Sequence, residues 1–177
     1  MKKIKKVFIN SMIKVCKSPK KRAKLISKHS DVNIGKNCEI FSEVNFGSEP
    51  YLIEIGDRVR ISKGVHLTTH DGGVWVLRNM GLAKNADLFG RIKIGNNVHI
   101  GLNSIVMPGV TIGNNVIIGA GAIVTKNVES NSIVAGVPAR KVKDILEYFE
   151  ANKEEFYNTK DLNAEDKKRT LLNDSNI

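Results

Sequence analysis

Four histidines, His29, His66, His70 and His99, are the side chains of this chain whose ordinary titration range lies near neutral pH. His70 stands in the run Thr69-His70-Asp71-Gly72-Gly73-Val74-Trp75-Val76, with a carboxylate directly after it. A positioned imidazole can take a proton from a hydroxyl or amine as that group attacks an electrophile. Imidazoles also bind zinc, and His66, His70 and His99 would suffice for an open three-histidine site. His29 lies in a run of cations and reads as solvated.

The backbone that must hold these histidines announces itself by a period of six. Ile94, Ile100, Val106, Ile112, Ile118 and Val124 stand six apart without a break. Glycine follows four of them, and a small or β-branched residue comes four positions after each: Val98, Ser104, Val110, Val116, Ala122 and Val128. Six matches neither the 3.6 of a helix nor the 2 of an ordinary strand, and a hexapeptide period points to a parallel β-helix. Each unit supplies one short strand and one turn, and three units close a triangular coil. Gly95-Asn96-Asn97 and Gly113-Asn114-Asn115 supply residues that accept left-handed corners.

The same phase recurs at Ile34, Ile40 and Phe46 and at Ile55, Ile61 and Leu67. It slips near Ser48-Glu49-Pro50, where about three residues are inserted, and it fails over residues 71–91, which read as an extruded loop. His66 and His99 each follow an inward companion, Val65 and Val98, so both should point outward. His66 and His70 are four apart, which in a six-residue turn sets them on different parts of a coil and disfavours the zinc site.

Charge is segregated. The chain carries 28 Lys or Arg and 18 Asp or Glu, and residues 1–30 hold eleven of the cations and none of the acids. Within that segment Ile4, Val7, Phe8, Met12, Ile13, Val15 and Cys16 recur at helical spacing. Two readings stand side by side: a basic helix on an anionic membrane surface, or a helix whose apolar face closes the end of the β-helix. No recognition motif or interleaved aromatics support nucleic-acid binding. No apolar run is long enough to span a membrane, no signal peptide is evident, and Cys16 and Cys38 are too few for a disulfide framework, so the cytoplasm is expected. Residues 141–157 read as a helix, and residues 158–177 are polar without period. The chain thus divides into a basic helical segment over 1–30, a β-helix domain over 31–140, and a C-terminal helix with a polar tail over 141–177. The fold expected is all-β: a parallel β-helix of about five coils.

Three stretches then carry a resemblance: Met107-Pro108-Gly109-Val110-Thr111-Ile112-Gly113, Gly119-Ala120-Gly121-Ala122-Ile123-Val124-Thr125-Lys126, and Ala135-Gly136-Val137-Pro138-Ala139-Arg140. With the run around His70, they resemble the hexapeptide-repeat acyltransferases of the left-handed β-helix fold, in the branch of sugar O-acetyltransferases. That resemblance implies acetyl transfer from acetyl-CoA to a sugar hydroxyl in capsule, lipopolysaccharide or related glycan synthesis. It implies a homotrimer with active sites between subunits, acetyl-CoA as co-substrate and no metal. It puts the general base on His70, and no acyl-enzyme is needed because the thioester is already activated.

The resemblance also implies the cofactor contacts: Leu102 and Ala120 along the pantetheine groove, Thr125 and Lys126, and Arg140 and Lys143 for the phosphates. Position in the two interruptions puts Asn45, Glu49, Tyr51, Asp71, Trp75 and Arg78 near the acceptor, with Asp71 alternatively orienting His70, and His99 is expected to touch the acceptor or the CoA arm. Position 99 is an aromatic in many relatives, and histidine here is a departure. An amino sugar or another small amine or alcohol is the alternative acceptor. A non-catalytic β-helix scaffold and a zinc protein like the γ-carbonic anhydrases, which share this fold, are the remoter alternatives.

Overall fold

The computed structural model describes residue 9 and residues 11–174; Ile4, Val7 and Phe8 of the basic segment lie outside the described residues. Two compact units result, Met1–Ile145 and Leu146–Ile177. The first is built from short parallel strands that climb in three sheets. One sheet joins β1 (Asn33–Ile34), β3 (Ile53–Ile55), β6 (Ile92–Ile94) and β9 (Thr111–Ile112). A second runs from β2 (Glu39–Ile40) through β4 (Arg60–Ile61), β7 (Val98–Ile100) and β10 (Val116–Ile118) to β12 (Ser132–Ala135) and β13 (Arg140–Asp144). The third joins β5 (His66–Leu67), β8 (Ile105–Val106) and β11 (Ile123–Val124).

Register reports the breaks in the repeat directly. Ile100 pairs with Ile118, a step of 18, which is three units of six. Ile40 pairs with Ile61, a step of 21, so three residues are inserted between them. Ile55 pairs with Ile94, a step of 39, so 21 residues are inserted there. The inward aliphatics stack in layers: Ile40, Ile61, Ile100 and Ile118 are 0 % exposed and lie in successive register. Ser104 and Ser132 are polar residues buried at inward positions, and the Ser104 hydroxyl donates to Gly101 O and Gly119 O.

One corner is built from asparagines. Asn97, Asn115 and Asn131 have φ of 56°, 54° and 60°, the left-handed region that asparagine tolerates. Asn97 Nδ2 donates to Asn115 Oδ1, and Asn115 Nδ2 donates to Asn131 Oδ1, each at 2.9 Å. Asn115→Ala removes both bonds and strains the corner, so it should destabilise the fold by about 1–2 kcal/mol. Urea unfolding measures this; an unchanged midpoint would mean that the ladder is ornamental.

The helix Pro19–His29 starts on Ser18, whose hydroxyl accepts from Lys21 N, with Pro19 in the first turn. Ala23 and Ile26 join the core of the coil, while Lys20, Lys24 and Lys28 stay exposed. Buried Arg22 donates Nη1 to Ile40 O at 3.0 Å, Nε to Ile13 O at 3.1 Å, and Nη2 to Cys16 O. For residues 19–29 the apolar face therefore closes the coil end, and that face is not available to a bilayer. No helix among the described residues is long and apolar enough to cross a membrane.

The C-terminal helix is shorter than the sequence suggests. Residues 140–144 form β13, antiparallel to β12, and the helix runs only over Ile145–Asn152 before a 3₁₀ turn at Lys153–Glu155. The last coil offers an open row of backbone groups, and satisfying it outweighs the local helical preference of residues 141–144. Residues 158–177, polar and aperiodic, nevertheless contain the helix Ala164–Leu172. Asn163 caps it by accepting from Glu165 N and Asp166 N, with both acids in the first turn.

Candidate active site

Residues 66–70 run along the third sheet until the coil opens into the inserted loop. The loop is pinched at its root. His70 forms an antiparallel bridge with Phe89, Asp71 N donates to Leu88 O, and Gly90 N donates to Thr69 O, the last two at 2.9 Å. Gly90 must lack a side chain, because a Cβ there would sit 2.3 Å from Gly109 N. The loop thus leaves and returns pressed against the next coil.

Within it lies a short helix, Val74–Asn79, anchored by buried Val74. Asp71 Oδ1 accepts from Gly73 N at 2.8 Å. Arg78 Nη1 donates to Ala86 O at 2.7 Å and pairs with Asp87. Arg78 therefore braces the loop. Trp75 is 64 % exposed, with Val76, Leu77, Met80, Leu88 and Phe89 also exposed, an apolar surface of the kind that meets a partner or ligand.

His70 is tethered through one nitrogen. Its Nδ1 lies 3.0 Å from Glu49 Oε2 and 3.3 Å from Ser48 Oγ. Those contacts leave Nε2 as the ring nitrogen without a partner among the described residues. The Phe89 ring lies 6.4 Å away between ring centres in a T-shaped arrangement. The His70 side chain is 42 % exposed, while Glu49 is 16 % exposed. The same Glu49 oxygen accepts from the Thr69 hydroxyl at 2.8 Å, and Thr69 is fully buried. That hydroxyl is the main reason the Glu49 carboxyl is held below its ordinary range, with Ser48 and His70 acting in the same direction against partial desolvation.

Of the residues expected around an acceptor, Glu49 and Asp71 lie beside His70. Asn45 bridges to His66, and its side-chain oxygen accepts from Gly47 N. Tyr51 is exposed in the 3₁₀ turn Pro50–Leu52. His99 lies on β7 in the second sheet, apart from the sheet that leads to His70. It is half-buried beside Arg60, and desolvation first, then the guanidinium charge, push its ring toward the neutral form.

Of the residues expected to meet a cofactor, exposed Leu102 and Ala120 sit at stacked corners, where Gly121 N donates to Leu102 O and Gly101 lies against Ala120 N. Thr125 is exposed just after β11. Lys126 and Arg140 line a cavity of about 350 Å³ with Asn127, Glu129 and Lys141, and Lys143 lies on β13 opposite Ile133. Among the described residues no group of three or more His, Cys, Asp or Glu could hold a metal ion, and His66 and His99 belong to different sheets. Ser48, Thr69 and Phe89 were not legible as site residues. Their only signal is proximity to His70 or to the two breaks in the repeat.

A family model described as the hexapeptide repeat of succinyl-transferase matches residues 91–126. The chain is 52 % identical over 144 residues to protein CapG of Staphylococcus aureus, covering 80 % of this chain and 83 % of that one. It is 37 % identical over 118 residues to the galactoside O-acetyltransferase of Escherichia coli (strain K12), covering 66 % of this chain and 55 % of that one. The solved structure of galactoside acetyltransferase in complex with coenzyme A superposes with a TM-score of 0.58 at 28 % identity, covering 89 % of this chain and 85 % of that one. These likenesses imply the left-handed sense for the parallel β-helix.

Proposed function

This chain belongs to the hexapeptide-repeat acyltransferases, in their sugar O-acetyltransferase branch, and from that premise we propose that it transfers acetyl from acetyl-CoA to a sugar hydroxyl during capsule or related glycan synthesis. The observation that carries this reading is the His70 imidazole, half-exposed at the loop root, tethered through Nδ1 and free at Nε2. In the proposed step Nε2 removes the acceptor's proton as its oxygen attacks the thioester carbon. The C–O bond forms and the C–S bond breaks. The departing thiolate then takes the proton from the imidazolium, so no acyl-enzyme forms.

Residues 31–140, with Lys143 just beyond them, carry this chemistry. Leu102 and Ala120 line the pantetheine groove, and Thr125, exposed just after β11, contacts the cofactor beside Lys126. Lys126, Arg140 and Lys143 pair with the phosphates, a role suited to exposed or half-exposed cations, two of which, Lys126 and Arg140, line one cavity. A homotrimer completes the site. The exposed apolar loop around Trp75 needs a neighbour, and His99, on another sheet of the same protomer, would serve the site of an adjoining copy. Asn45, Tyr51, Asp71 and Trp75 then surround the acceptor.

Calorimetry with the purified protein tests the premise of this reading. Acetyl-CoA should bind with a dissociation constant below about 1 mM, and a sugar acceptor should trigger release of free CoA thiol. Absence of binding at millimolar acetyl-CoA would overturn it.

A further inference from the structure

We propose that Glu49, anchored by the buried Thr69 hydroxyl, is a positioning residue that fixes His70 in the tautomer with its proton on Nδ1 and holds the imidazolium formed during transfer. The inference rests on His70 acting as the base, as proposed above.

A neutral imidazole carries its proton on one nitrogen and its lone pair on the other. An ionised carboxylate can only accept. Its approach to Nδ1 at 3.0 Å therefore requires the proton there, which leaves the lone pair on Nε2. The carboxylate is itself fixed. Thr69 is 0 % exposed, and its hydroxyl donates to the same Glu49 oxygen that faces the imidazole. Gly47 closes over this contact, since a Cβ on it would lie 3.0 Å from Thr69 Oγ1.

The surrounding groups leave this role to Glu49. Asp71, adjacent in sequence, has its carboxylate on Gly73 N. Phe89, on the returning limb of the loop, presents an uncharged ring. Ser48 Oγ is the longer contact at 3.3 Å, and a neutral hydroxyl stabilises an imidazolium less than a carboxylate does. No position of the regular six-residue pattern delivers this carboxylate. The three-residue slip around Ser48-Glu49-Pro50 does, and Pro50 then opens the 3₁₀ turn that leads the chain back to β3. When Nε2 takes the acceptor's proton, the new positive charge forms beside a carboxylate already in position, with no side chain needing to rearrange.

The test uses full-length protein with ¹⁵N-labelled histidine. Wild-type His70 should show the signature of a single Nδ1–H tautomer. Glu49→Gln, whose amide can donate as well as accept, should give a mixed population while its melting temperature stays near wild type. Its kcat should fall about tenfold or more with KM for acetyl-CoA within about threefold, because general-base efficiency depends on the correct tautomer. Glu49→Asp should recover part of the rate, and Thr69→Val should fall between wild type and Glu49→Gln. A Glu49→Gln protein with a pure Nδ1–H tautomer and kcat within twofold of wild type would overturn the proposal. The tautomer spectrum reads Glu49 independently of turnover, so it still decides this point if His70 proves not to be the base.

Discussion

His70→Ala is expected to lower kcat by about 10³-fold, within the range general-base catalysis supplies, while acetyl-CoA binds as tightly as before. The two effects separate because the side chains proposed to hold CoA lie elsewhere on the coil. Leu102 and Ala120 sit on stacked corners, and Lys126 and Arg140 line a cavity beyond β11. Backbone hydrogen bonds of its neighbours, such as Gly90 N to Thr69 O and Asp71 N to Leu88 O, hold the chain on either side of His70, so removing its ring should leave that framework standing. What remains in the variant is proximity of thioester and acceptor without proton removal. Steady-state kinetics beside calorimetry measures both sides. Turnover near wild type would show that another group takes the proton, and a collapse of CoA affinity would show that the ring contacts the cofactor.

Ile100→Ala should destabilise the protein by about 3–4 kcal/mol, measured by urea or thermal unfolding. Ile100 is 0 % exposed and stacks between Ile61 and Ile118 in the second sheet. Cavity cost depends on how far the surroundings can collapse, and here they have little freedom. Each layer is held by interstrand hydrogen bonds on both sides, such as Ser62 N to Ile100 O and Gly101 N to Ile118 O. Gly101 already lies so close to Ala120 that a Cβ would come within 2.5 Å of its amide nitrogen. Ile100→Val, which removes one methylene, should cost about 0.5–1.5 kcal/mol. A cost below that for the alanine variant would mean the coil is softer than its ladders imply.

The ladder that includes Ile100 is why the fold was legible in the sequence. A coil with one inward aliphatic per unit must repeat that residue in phase, and any insertion must appear as a slip. Both slips appear in the strand register, at the Ile40–Ile61 and Ile55–Ile94 pairs. His70 was legible for the same reason, because it stands where the phase ends. Its partner was harder to read. Asp71 was the obvious candidate to orient the ring, yet a local turn takes its carboxylate. Glu49 reaches the imidazole from 21 residues upstream through an irregular segment, and no periodicity encodes such a contact. The strand Arg140–Asp144 escaped for a related reason. Its pairing answers the open edge of the last coil, a non-local demand that the apolar spacing of residues 141–157 does not record.

Arg22 has a bearing on how copies of this chain meet. A stack of parallel coils has growth ends, since the outermost strands offer bare amides and carbonyls to any similar strand, the situation that lets β-structures extend into fibres. At one end the Arg22 guanidinium occupies the carbonyl of Ile40, with the helix that carries it lying over the first coil. At the other end β13 pairs with β12 in the antiparallel sense, so the next strand in line has the wrong direction to continue the coil. The β-helix is thus a polymerisation-competent template stopped at both ends by elements outside the repeat, and association is left to its sides.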